Sequence, residues 1–308
     1  MTKLVVVGSV NMDIVTQVTK LPVPGETVKG LNTAYYPGGK GANQAVAAAM
    51  AGAEVAFVGA VGDDAYGPRL LVSLQEKGVR TGAVLHKQVR TGIAYINVDA
   101  AGENHIILSE GANGKLTPED IADQSAAFDN VHGLLTQNEI PWETTVFALK
   151  LARSKGVFTC YNPAPVAPVP SELWPLIDLL VVNEHEAAQL TGLTADLTDE
   201  AARQAVEALL AQGADAVLLT LGEQGSLYAD RRGEIVREPV FKVKAVDTTA
   251  AGDTFIGSFL TARLAGQTVR HSLRFASAAS AIAVSRAGAQ ASIPDHAEIE
   301  AYLSEHAV

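Results

Sequence analysis

The sequence predicts a doubly wound α/β protein: a mostly parallel central sheet with helices on both faces, and a small β-sheet lid added to it. Three observations carry this. From Leu116 onward, strand-like runs at 133–136, 157–161, 179–182 and 216–221 alternate with helical patterns at 144–154, 184–191 and 198–212, the βαβ succession of a parallel sheet. The composition is rich in Ala, Val, Leu and Gly and only 6% aromatic, which suits a buried sheet under closely packed helices. Two stretches instead alternate polar with apolar residues: 14–18 with 27–36 around Pro22-Val23-Pro24-Gly25, and 91–98 with 104–109 around Asp99-Ala100-Ala101-Gly102. They read as exposed antiparallel hairpins, insertions at about 14–36 and 91–110 that form one small sheet over a ligand site. A lid or an oligomer contact fits that sheet, and the two are compatible. With no repeat or linker, residues 1–308 read as a single domain.

Composition excludes several classes of function. Hydrophobic residues make up 48% and charged residues 19% of the chain, the balance of an ordinary globular protein able to bury a sizeable core. The net charge of −11 opposes nucleic acid or an anionic membrane as partner. A nucleotide stays possible, because backbone donors and a metal overcome the overall sign locally. Cys160 is the one cysteine, so there is no internal disulfide, and its strand-like setting makes it a buried, inert thiol. The apolar run Leu4–Val7 is too short for a signal peptide or a membrane span, and the expected location is cytoplasmic.

Taken in order, Leu4–Val7 is a buried strand ending in Gly8-Ser9-Val10-Asn11-Met12-Asp13. The second and third glycines of a dinucleotide fingerprint are missing, which rejects a Rossmann cofactor. Asn11 and Asp13 instead lie in a loop past a strand end, as ligand-binding or turn-capping residues. Pro37-Gly38-Gly39-Lys40-Gly41-Ala42-Asn43-Gln44 opens an Ala-rich helix to Met50, with Gly52 as stop. Lys40 is followed by Gly41 where a nucleotide P-loop needs Ser or Thr. What remains is a Gly-Gly turn that lets backbone approach a ligand, or a plain helix cap. A strand at 55–60 and a helix at 65–77 follow, and Thr117-Pro118-Glu119-Asp120 starts another helix. Val236–Val246 reads as extended, and Val269–Ser285 as a final long helix.

The chemistry gathers at strand ends and one helix start. Val246-Asp247-Thr248-Thr249-Ala250-Ala251-Gly252-Asp253-Thr254-Phe255 runs into a helix that stops at Gly266. Backbone amides from Ala251 to Thr254 and the helix dipole would make an anion site beneath small side chains. Asp253 there either stabilises the first turn or takes a proton from a hydroxyl attacking a phosphate. Glu139 follows the 134–136 strand, and Asn183-Glu184-His185-Glu186 opens a helix. Asn183 and Glu186 fit a capping box or a water-bridged Mg²⁺. Thr220-Leu221-Gly222-Glu223-Gln224-Gly225 fits a nucleotide turn or a hairpin.

Gly38–Ala45 and Asp247–Phe255, with Asn183-x-x-Glu186 between them, resemble the two signatures and the metal and phosphate motif of the ribokinase-like (pfkB-type) carbohydrate kinases, over essentially the whole chain. The resemblance implies phosphoryl transfer from ATP to a small sugar, D-ribose at its 5-hydroxyl, with Mg²⁺ and a monovalent cation such as K⁺. It implies that Asn11, Asp13, Gly39, Lys40, Asn43 and Glu139 hold the sugar. Asp253 would be the base, and Ala250, Ala251 and Gly252 would complete the anion hole. Asn183, Thr220, Leu221, Gly222, Glu223, Gln224, Gly225, Gly252 and Ser277 would meet the nucleotide, and Glu186 would meet Mg²⁺ through water. Asp247, Thr249, Ala283, Arg286, Gly288 and Ser292 would form the monovalent-cation loop. Ser277 departs from the ring or amide the family often carries there. A homodimer through the lid strands is also implied. Lys40 is the only base among the sugar positions, so a free sugar fits better than a sugar phosphate.

Overall fold

The structure, a computed structural model, describes residues 1–193 and 198–306. Strand β1 (Lys3–Val7) is the expected apolar run, with Leu4 and Val6 in one core and Val5 and Val7 in another. This period-two split is what a strand covered on both faces requires. Strands β2 (Asn11–Val18) and β3 (Gly30–Gly38) and helix α1 (Lys40–Met50) follow. Then come β4 (Glu54–Gly62), α2 (Tyr66–Glu76), β5 (Val79–Lys87), β6 (Gly92–Val98), β7 (Asn104–Ser109) and α3 (Pro118–Asp123). The α3 start is the expected one: Thr117 and Asp120 satisfy each other's backbone amides.

The remaining elements are β8 (Gly133–Thr136), α4 (Trp142–Ser154), β9 (Phe158–Tyr161), β10 (Leu179–Asn183), α5 (Glu184–Thr191), α6 (Asp199–Gln212) and β11 (Ala216–Thr220). They lead to β12 (Ser226–Asp230), β13 (Ile235–Glu238), α7 (Ala251–Leu264), α8 (Val269–Val284) and α9 (His296–Glu305). Nine strands form one sheet in the order β13-β12-β11-β10-β9-β8-β1-β4-β5, parallel from β11 to β5. Helices α1, α7 and α8 cover one face. On the other face α4 packs near β1 and α6 near β10 and β11. The chain winds away from β1 in both directions, so the β1/β8 junction is where strand order reverses. In such sheets ligands bind there, beyond the carboxyl ends of the strands.

The second sheet has the order β3-β2-β6-β7. Its two hairpins are antiparallel, as expected, but they join through a parallel β2/β6 pair. Tyr35, Tyr95, Ile106 and Ile107 are exposed on it.

Three expectations are corrected. Asn11 and Asp13 begin strand β2 and do not lie in a loop, because their stretch pairs with both β3 and β6. The extended run 236–246 stops at Glu238, since Pro239 has no amide to continue the ladder. The 220–225 turn takes the hairpin form, one of its two expected readings, leading into antiparallel β12 and closed by the Leu221 amide on the Gly225 carbonyl at 2.8 Å. Helix α8 is not the last, for α9 follows with an Asp295–Glu298 capping box. No helix among the described residues is long and apolar enough to cross a membrane.

Helices α1 and α7 touch at Gly257. A Cβ there would stand 2.7 Å from both the Ala47 Cβ and the Gln44 carbonyl oxygen and 2.8 Å from the Ala48 amide nitrogen. Backbone cannot yield as a flexible side chain can. Gly257→Ala is therefore expected to destabilise the fold by about 1–3 kcal/mol, read as a lower urea midpoint at unchanged slope.

Candidate active site

The carboxyl end of β1 and the start of α1 meet over the β1/β8 junction. Glu139, just past β8, accepts the Ser9 hydroxyl at 2.6 Å and the Lys40 backbone amide at 3.1 Å, both on one oxygen. Gly39 caps α1 with a positive φ of 91°, which aims Lys40 and Asn43 from the first turn. Asp13 is nearly buried, and its carboxylate occupies the space where a Gly38 side chain would begin: a Cβ there would be 2.0 Å from Oδ2. Burial, reinforced by the charges of Glu139 and Asp253, pushes the Asp13 carboxyl up to about 7. Asn11 accepts the Asn113 side-chain amide at 2.7 Å, and Asn113 also bonds the Val10 amide and carbonyl.

Asp253 stands in the first turn of α7, half-buried. Its Oδ2 accepts Asn43 Nδ2 at 3.1 Å and its Oδ1 accepts Gln44 Nε2 at 2.9 Å. Asn43 is held in turn by Gln290 Nε2 at 3.1 Å. Ala250 caps α7 in the left-handed region, at φ 59°. The expected row of four amides is narrower than the sequence suggested, because Ala251 donates to Thr248 O and Thr254 to Ala250 O. The amides of Gly252 and Asp253, which have no partner inside a helix, are left for an anion. Space is open above Gly252, where an added Cβ meets nothing within 4 Å.

Burial disfavours the charged form of Lys40, but Asp253, Glu139 and Glu186 outweigh it, and its pKa lies above the ordinary value. Lys40 stays a cation amid acids. Burial likewise raises the Glu186 carboxyl. One Glu186 oxygen takes the Asn183 amide at 2.9 Å while Asn183 Oδ1 accepts the Glu186 amide at 2.8 Å, so the capping box is real. Its closeness to Lys40 and Asp253 puts it beside the site as well.

The other expected residues fall into two groups. Asn183 and Thr220 are register partners at the carboxyl ends of β10 and β11, and Gly222, Glu223 and Gln224 are exposed just beyond. Leu221 is buried and Gly225 packs on the Glu238 carbonyl. The Ser277 hydroxyl donates to Pro239 O at 3.3 Å. In the second group Asp247 accepts the amides of Thr249 and Gly288, both at 2.9 Å. Against the effect of burial, the Thr249 side chain and these two amides draw its pKa below the ordinary value. Ala283 O accepts the Arg286 amide and Ser292 donates to Ala289 O. The Arg286 guanidinium points away, to Glu298 at 2.6 Å. A cleft of about 290 Å³ at the opposite edge of the sheet, lined by Phe158, Tyr228, Phe259 and Arg263 among others, holds none of these residues.

Sequence reasoning missed Gln44, Asn113, Gln137, Asn162 and Gln290. Gln44 stood inside the quoted glycine stretch and Asn162 directly after a strand, as Asn183 does. Gln290 had no local signal.

Comparison with known proteins gives the family. The model of the pfkB family carbohydrate kinases matches residues 1–296. The chain belongs to this family. It is 41% identical over 309 residues to a ribokinase of Schizosaccharomyces pombe, covering 97% of each chain. It is 34% identical over 303 residues to a deoxyribokinase of Salmonella typhimurium, covering 98% of each. The structure of an Arabidopsis thaliana ribokinase complexed with ribose and ATP superposes with a TM-score of 0.92 at 35% identity, over 98% of this chain and 99% of that one. The protein is thus a carbohydrate kinase of the pfkB family, and its sheet is the family's.

Proposed function

We propose that this kinase transfers the γ-phosphoryl group of ATP to the 5-hydroxyl of D-ribose, with Asp253 as general base. The observation that carries the reading is the position of Asp253, bonded to Asn43 and coupled by charge to Asp13 at the head of an anion-binding helix. The higher identity to the ribokinase than to the deoxyribokinase favours ribose. Asn11, Asp13, Asn43 and Glu139 form a set of acceptors and donors for sugar hydroxyls, with Gly39 and Lys40 beside them. Lys40 as the single base there favours a free sugar over a sugar phosphate.

In the reaction Asp253 takes the hydroxyl proton as the sugar oxygen attacks phosphorus, and the Gly252 and Asp253 amides receive the negative charge of the passing group. Asn183, the 220–225 turn and Ser277 would hold the nucleotide. Because Ser277 turns to Pro239 O, its hydroxyl is satisfied without a base. No cluster of three His, Cys, Asp or Glu able to hold a metal occurs among the described residues. Glu186, with one oxygen in its capping box, fits an Mg²⁺ kept mainly by water and phosphates. That ion would neutralise phosphate charge. Asp247, Thr249, Ala283, Arg286, Gly288 and Ser292 would hold K⁺ chiefly by backbone carbonyls, since the Asp247 oxygens and the Arg286 head are engaged elsewhere. The four-stranded sheet acts as a lid that excludes water. Its exposed Tyr35, Tyr95, Ile106 and Ile107 suit a homodimer in the cytoplasm.

Turnover on ribose, 2-deoxyribose, fructose and adenosine, with and without potassium, tests the reading. The expected result is sugar-dependent ADP release, highest kcat/KM on ribose, and a rise with potassium. Preference for 2-deoxyribose would move the assignment to the neighbouring activity. ADP release indifferent to sugar would overturn it.

A further inference from the structure

Gln44 has no exposed surface, although its side chain is wholly polar at the tip. Its Nε2 donates to Asp253 Oδ1 at 2.9 Å and to Asn162 Oδ1 at 3.0 Å, and its Oε1 accepts Gln137 Nε2 at 2.6 Å. Asn162 spends its own amide nitrogen on the Val181 carbonyl at 3.0 Å, so its oxygen is the end that faces Gln44. Turning the Gln44 amide over would set Oε1 against two oxygens, the Asp253 and Asn162 acceptors. Only one orientation of the Gln44 amide makes all three of these bonds.

Asn162 directly follows β9 and Gln137 directly follows β8. The chain of amides therefore anchors the Asp253 carboxylate to the central sheet, while the backbone of Asp253 belongs to α7. With Oδ1 pinned by Gln44, the carboxylate cannot rotate freely, and Oδ2 keeps one accepting direction beyond its bond to Asn43.

We propose that Gln44 is a positioning residue for phosphoryl transfer: by holding Oδ1 of Asp253 it fixes the carboxylate so that Oδ2 faces the acceptor hydroxyl. The role rests on the reading of Asp253 as the base. Gln44 touches neither sugar nor nucleotide in this account, so its loss acts on kcat through Asp253.

The test is steady-state kinetics of the full chain on ribose, with the wild type as control. Gln44→Met keeps the volume and removes both polar atoms. It is expected to lower kcat by about 10–100-fold, the usual cost of a misplaced reacting group, with KM for ribose and ATP changed less than about threefold. In an Asp253→Ala background the same substitution is expected to change kcat no further. An unchanged kcat, or a loss that multiplies with that of Asp253→Ala, overturns the proposal.

Gln44→Met also leaves Asn162 and Gln137 without their partner, so a variant that fails to fold is met by Gln44→Asn, which keeps an amide but stops one methylene short of Asp253. It is expected to lower kcat in the same direction with KM little changed. A wild-type kcat in that variant overturns the proposal as well. A wild type that releases no ADP with any sugar overturns the kinase reading first, and the control separates that outcome from a failure of Gln44 alone.

Discussion

Replacing Asp253 with alanine is expected to lower kcat by roughly 10²–10⁴-fold, the usual size of a general-base contribution, while ATP still binds. The carboxylate lies at the head of α7 within hydrogen-bond reach of Asn43 and Gln44 and is only half-buried. It therefore meets the sugar side of the site and open space together. The Gly252 and Asp253 backbone amides survive the substitution, so nucleotide affinity by calorimetry should hold. Asp253→Asn separates base from ligand: the amide keeps a hydrogen-bond acceptor but takes no proton, and should be as slow as alanine. Full turnover in either variant would remove Asp253 from the role.

Asp13 gives the second large effect, and it couples binding to stability with opposite signs. Its carboxyl is raised from 3.8 to about 7 by burial first and then by Glu139 and Asp253. The folded chain thus holds this proton more tightly than the unfolded chain. Stability tied to Asp13 is fully present below pH 3.8 and is lost as pH rises through about 7. Asp13→Asn should accordingly stabilise the protein at pH 8, by up to a few kcal/mol in order of magnitude, and the gain should vanish towards pH 4. Sugar binding should move the other way. Losing a charged acceptor for a hydroxyl costs about 1.5–3 kcal/mol, or roughly 10–10²-fold in KM. In the wild type, kcat/KM for ribose should fall as pH drops below 7 and the ionised fraction shrinks, levelling off at about that 10–10²-fold loss. Denaturation midpoints at pH 4 and 8 and a pH series of kcat/KM check both. A flat profile, or no gain in stability at pH 8, contradicts the account.

The parts of this molecule that depend on neighbours in sequence were legible before the structure. The Leu4–Val7 run, the helix starts at Thr117 and Asn183 and the glycine stretch before α1 each carry their own pattern of burial or capping. What escaped is what only tertiary structure brings together. The bonds of Gln44 reach Asp253, Asn162 and Gln137 across 209, 118 and 93 residues, and no local period records them. The parallel β2/β6 pair unites two hairpins that each look complete alone. The β11/β12 hairpin was visible as a turn, but its glycines suit a nucleotide equally well. Helix α9 had a readable cap and buries completely only Ile299, too little for an apolar stripe.

The central claim is that the Asp253 carboxylate meets the hydroxyl that receives the phosphoryl group. A crystal structure with ribose and a non-hydrolysable ATP analogue measures this directly. The account predicts Asp253 Oδ2 about 2.6–3.2 Å from the 5-hydroxyl, with the γ-phosphate on the amides of Gly252 and Asp253. A 5-hydroxyl beyond hydrogen-bond reach of that carboxylate, with the γ-phosphate bound elsewhere, would contradict it.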